Sequence, residues 1–205
     1  MAGVGPSPSA APVSAATFTL SGTVFDHTNG TPEPRPSVLL RVNMPDAGIL
    51  LVSDRTGRYR ISNIPPGAVW VAPPVDSEYR APCPGGAAQL SSDMLIDVHV
   101  VSASSLATNG MPATIPRSSV WFAGTIFETA AGNRRVVGGA IVDLDDRVAT
   151  LSDLQGRYTI CSAPADTGSA ASLTLSVSRD GFLPASRLVV GALGRDGIDV
   201  ELIRR

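Results

Sequence analysis

Few residues in this sequence could carry chemistry, and their spacing limits what each can do. Histidine occurs twice, as His27 in a turn-rich stretch and His99 in a strand-like run. Neither belongs to a His-x-x-Glu or His-Glu-x-x-His spacing, which would aim two ligands at one metal ion. A surface or structural role is expected for both, and no catalytic metal. No Gly-x-Ser-x-Gly elbow presents a nucleophilic serine. All 16 basic side chains are Arg, and the absence of Lys removes Schiff-base chemistry and Lys-based isopeptide crosslinks. Asp143, Asp145 and Asp146 form the one acidic cluster. Alternating carboxylates on a loop suit Ca²⁺, but no EF-hand spacing surrounds them, and a solvated turn is the plainer reading. Cys83, between Pro82 and Pro84, and Cys161 both lack the neighbouring His or electropositive turn that marks a reactive thiolate. No cofactor is expected.

The elements that must hold these residues are strands. The run Ser53-Asp54-Arg55-Thr56-Gly57-Arg58-Tyr59-Arg60-Ile61 returns as Ser152-Asp153-Leu154-Gln155-Gly156-Arg157-Tyr158-Thr159-Ile160. In each, the Asp side chain can accept backbone N–H bonds in a turn, and Gly tolerates positive φ. The alternation that follows fits a half-buried strand. Asp54, Gly57, Asp153 and Gly156 are therefore read as structural turn residues. One offset of 102 residues relates Gly22 to Gly124 and Ile96 to Ile198, so a whole unit is duplicated. The 20 Gly, 17 Pro and abundant Val, Thr and Ser favour strands and turns over helices. Strands are expected over 17–26, 37–43, 48–54, 58–63, 68–72 and 93–101, and again from Trp121 onward. The fold class is all-β, as two tandem antiparallel sandwiches. Residues 1–16 read as a flexible linker, 17–101 as the first domain, 102–118 as a linker and 119–205 as the second domain.

The order of motifs resembles the carboxypeptidase regulatory-like domains, whose sandwich is of the prealbumin-like Greek-key type shared with transthyretin and CnaB modules. The second half shows Gly124-Thr125-Ile126-Phe127-Glu128, Gly139-Ala140-Ile141-Val142, Asp153 to Tyr158 and Gly181-Phe182. The first half shows Gly22-Thr23-Val24-Phe25-Asp26, Asp54 to Tyr59 and Pro66-Gly67. It departs at Arg35-Pro36-Ser37-Val38, where Gly-Ala is missing, and at Glu78-Tyr79, where Gly is missing. The resemblance implies a bacterial secreted or cell-envelope module without catalytic residues of its own. The zinc-peptidase site, the His/Arg set of transthyretin-like hydrolases and the Tyr/His iron site of intradiol dioxygenases have no matching residues here. Starch-binding domains share the sandwich, so a carbohydrate-binding module is the alternative.

Aromatic placement bears on that alternative. Aligning Tyr79 with Phe182 puts Trp70 over Leu173, on the core face. Trp121 and Phe127 lie opposite the core-facing Phe122 and Ile126, which makes them either an exposed binding face or, as favoured here, a contact with the other domain. Alternation turns Cys161 outward, so an inter-domain disulfide with Cys83 and two unpaired thiols are both open. The formal charge of −2 offers no basic footprint for nucleic acid. No apolar run reaches the roughly 20 residues of a membrane span. The expected partners are an unknown protein or a polysaccharide at the cell surface. The N-terminal stretch lacks a basic start and an apolar run, so the secretion signal is expected to be absent from this chain.

Overall fold

Period-two burial organises the molecule. In the computed structural model the described residues are 16–44, 47–74, 76–83, 87–117, 121–145, 148–161, 172–190 and 197–205. The first sandwich comprises β1 (Phe18–Asp26), β2 (Glu33–Pro34), β3 (Leu39–Met44), β4 (Ala47–Val52), β5 (Arg58–Ile64), β6 (Gly67–Ala72), β7 (Tyr79–Arg80), β8 (Ala87–Leu90), β9 (Met94–Leu95) and β10 (Val98–Ser102). One sheet runs β2-β1-β10-β7, with β5 and β9 also on β1; the other runs β4-β3-β6-β8. Leu20, Val24, Leu40, Val42, Val69, Val71, Val98 and Val100 meet between them and are closed to water. Burying each such side chain contributes roughly 1.5–3 kcal/mol.

The second sandwich repeats the plan with β11 (Trp121–Ala130), β12 (Asn133–Val136), β13 (Ile141–Leu144), β14 (Val148–Leu151), β15 (Arg157–Cys161), β16 (Ser172–Ser178), β17 (Phe182–Leu183), β18 (Ala185–Val190), β19 (Val200–Glu201) and β20 (Ile203–Arg204). The order β14-β13-β16-β18 reproduces β4-β3-β6-β8, and β11 takes β12, β15 and β19 as β1 takes β2, β5 and β10. Phe122, Ile126, Val142, Leu144, Ile160, Leu175 and Val177 fill this core. The pairing is mostly antiparallel, but the opening strand of each sandwich lies parallel to a closing one, Val24 against Val98 and Ile126 against Val200.

Three pairs of polar anchors recur with the topology. Buried Ser53 accepts from the Val38 N–H through Oγ and donates to the Arg35 carbonyl. Ser152 does the same with Ala140 and Val137. The Tyr59 and Tyr158 hydroxyls donate to the carbonyls of Ile96 and Ile198 at 2.6 and 2.7 Å, and burial pushes both phenols well above their ordinary range. Asp97 and Asp199 accept from the N–H groups of Thr23 and Thr125, each at 2.8 Å.

One expectation needs correction. Trp70 is not a core residue: Val69 and Val71 are fully buried, so the indole between them faces the other side of the sheet and is half-buried. The register shows the cause. Val42 pairs with Val71, and its counterpart Leu144 pairs with Leu175, so Trp70 answers to Thr174 rather than Leu173. A slip of one residue reverses the face of every side chain. Part of the stretch between the two sandwiches is helical. Ser102 ends β10 and α1 follows at Ala103–Asn109, with the Ser102 side chain accepting from the Ser105 N–H as N-cap and Leu106 buried beneath.

Candidate functional site

Of the residues singled out in the sequence, Cys83, Cys161 and Trp121 converge where the two sandwiches meet. In β15, Tyr158 and Ile160 point into their own core, and strand alternation turns the next residue away. That residue, Cys161, is nevertheless fully buried. Its cover comes from the first sandwich. Cys161 is disulfide-bonded to Cys83, with a Cα–Cα distance of 4.6 Å, and its N–H donates to the Pro82 carbonyl at 2.8 Å. Val101, Leu106 and Ile115 close around the disulfide, with Met111, Trp121 and Leu151 packed against them. The seam therefore draws side chains from β10, from α1 and the segment after it, and from the second sandwich.

Trp121 stands opposite Cys161 in the β11–β15 register. Its ring is half-buried against this cluster, and the Arg117 guanidinium lies 5.4 Å from its centroid. Phe127 has different company. The Arg134 guanidinium sits 3.9 Å over its ring and is held there by Asp199 at 2.7 Å. The Arg134 hydrogen bond holds the Asp199 carboxyl below its usual range. Phe127 is thus covered from within its own sandwich.

The repeated turns have the geometry that their residue types require. Gly57 and Gly156 take φ of 77° and 72°. Asp54 Oδ1 accepts from the N–H groups of Thr56 and Arg58 and from the Thr56 hydroxyl, which lowers its pKa, the hydroxyl contributing most. Asp153 accepts from the N–H groups of Gln155 and Arg157 and forms an ion pair with Arg157 at 3.1 Å. These acids shape turns and project into no shared cleft.

The two histidines, 72 residues apart, form one unit that no local pattern signalled. His27 Nε2 lies 2.9 Å from His99 Nδ1, and His27 Nδ1 lies 2.9 Å from the Thr114 hydroxyl. His27 is 1 % exposed, so the surface alternative does not hold for it. His99 stacks on Phe25. Burial lowers both pKa values, and the charge of His99 lowers that of His27 further. The pair links the end of β1 and β10 to the segment leading into the seam.

At the acidic cluster, Asp145 Oδ1 accepts from the Thr174 N–H at 2.6 Å. Asp143 lies within β13, opposite Ala149 and Ser176, and Asp146 lies outside the described residues. Among the described residues no group of three or more His, Cys, Asp or Glu side chains is gathered as a metal site. No helix among them is long and apolar enough to cross a membrane.

Fold and seam together define a tandem all-β protein whose two sandwiches are covalently tied. No family model and no curated protein matches the chain. Solved structures to which it is similar include shaft pilin SpaA from Lactobacillus rhamnosus GG, at 10 % identity and a TM-score of 0.33 over 93 % of this chain and 98 % of that one. The minor pilin GBS52 of Streptococcus agalactiae gives 10 % and 0.33 over 92 % and 96 %. A streptococcal ancillary pilin gives 13 % and 0.33 over 94 % and 64 %. Likeness at this level does not bear on what the chain binds or does.

Proposed function

We propose that the chain is a non-catalytic structural or binding module of a secreted or cell-envelope protein, in which domains 17–101 and 119–205 act as one rigid body. The observation that carries this reading is the seam, a disulfide enclosed by apolar side chains from both halves and from the segment between them. A crosslink of this kind belongs to an oxidising compartment. Side chains that catalysis would draw on are engaged in structure: His27 with His99 and Thr114, and Asp54 and Asp153 in turns. The carbohydrate-binding alternative needs bare planar rings, whereas Trp121 lies in the seam and Phe127 lies under Arg134.

Small-angle scattering of the whole chain tests this reading. The oxidised protein is expected to give one narrow set of dimensions, which broadens in the C83A/C161A variant while circular dichroism keeps its β signature. An oxidised chain as broad as the variant would overturn the rigid-body reading. Pull-down on insoluble polysaccharides that fails with Trp121→Ala would favour the alternative instead.

A further inference from the structure

A second feature of the seam is a cleft of about 350 Å³, whose walls include Arg80, Leu151, Arg179, Asp180, Phe182 and Arg205. Arg80 comes from β7 in the first sandwich and the other two arginines from the second, so the cleft gathers all three only because the halves are joined. Arg80 is unusual. It is 9 % exposed, and its Nη1 donates to the carbonyls of Ser77 and Tyr79. Its Nε–H is enclosed and has no hydrogen-bond partner among the described residues. No carboxylate among the described residues forms an ion pair with it. Arg179 donates from Nη1 to the Gly139 carbonyl at 2.7 Å, again a neutral partner. Asp76 favours the charged form of Arg80 from a distance, and Asp180 stands in the cleft wall.

A buried guanidinium is costly unless an anion and hydrogen bonds compensate it. Its planar fork matches the two oxygens of a carboxylate, sulfate or phosphate. We infer that this cleft is a binding site for an oxyanion group, carried by a small molecule or a chain end whose uncharged part rests on Leu151 and Phe182. Burial pulls the Arg80 pKa down, and the Asp76 carboxylate opposes that shift. The site is independent of whether the module serves a structural role.

The test follows the Arg80 Nε–H resonance in ¹⁵N-labelled full-length oxidised protein at low ionic strength, during separate titrations with inorganic phosphate, sulfate, glucuronate and neutral methyl glucoside. The anions are expected to shift the resonance saturably at millimolar concentration or below, and methyl glucoside to leave it unmoved. Stronger binding of glucuronate than of the inorganic ions would assign the site to acidic sugars, and the reverse order to free phosphate or sulfate. The double variant R179Q/R205Q changes two exposed side chains, so the fold should persist and the affinity should drop several-fold. Absence of a saturable shift with every anion, or the same affinity in the double variant, would overturn the assignment.

Discussion

Ser37 occupies the backbone conformation that its counterpart Gly139 adopts without cost. Their φ angles are 61° and 67°, and the Gly-Ala of the second half is Ser37-Val38 in the first. A non-glycine residue in the left-handed region costs roughly 1–2 kcal/mol, and glycine gives back about 0.4–1 kcal/mol of it through the freedom of the unfolded chain. Ser37→Gly should therefore stabilise the first sandwich by about 0.5–1 kcal/mol, seen as a higher urea midpoint; Ser37→Ala should give no such gain. The histidine pair yields a pH prediction. Burial, the first cause of both lowered values, penalises the charged rings, with Asp26 and Asp97 acting the other way. The unfolded chain thus binds more protons than the folded one once the pH drops below the ordinary value of about 6.5. Stability is complete above that pH and declines as the pH falls toward the folded values. Melting temperature should drop between about pH 7 and pH 5, and His99→Gln should flatten the decline. An unchanged melting temperature across that window would refute the pair as a titrating unit. The pair was invisible in the sequence because it depends on the parallel pairing of β1 with β10, which sets Phe25 against His99 and leaves no periodic trace in either strand.

Among the elements, the legible ones carry their pattern locally. The alternation of Leu20 and Val24, and of Phe122 and Ile126, marks the opening strands. The twice-written turn marks β5 and β15. The two-residue strands β2, β7 and β9 carry too few side chains for any pattern, and α1 has one apolar anchor, Leu106, in seven residues. Trp70 shows how a correct repeat can still misplace a side chain when a loop differs by one or two residues between the halves. The buried serines are an element-scale device, since each pins the loop before β3 or β13 to the strand ahead of the repeated turn. Ser53→Ala leaves the Val38 N–H and Arg35 carbonyl without their partner, and Ser152→Ala does the same at Ala140 and Val137. Each change should destabilise by about 1–3 kcal/mol, and the two should add, since they lie in separate cores. Chemical denaturation of the single and double variants checks both statements.

For the whole molecule, the duplication and its two cores were legible, whereas the joint was only partly so. Outward Cys161 and Trp121 pointed to a contact, but the cluster that receives them draws Leu106, Met111 and Ile115 from a stretch whose composition resembles a linker. In the chain-entropy model a crosslink spanning 78 residues contributes about 4.5 kcal/mol. The C83A/C161A variant should lose stability on that scale, measured by denaturant midpoint under oxidising conditions. The same bond also sets a mechanical property. A chain stretched from its two ends transmits tension from residue 83 directly to residue 161, so the stretch between them, a sequence separation of 78, bears no load. At roughly 3.4 Å per extended residue, about 265 Å of contour length stays locked while the disulfide is intact. Single-molecule pulling should recover that length only after reduction, which would make the redox state of one bond the gauge of how far the protein can be drawn out.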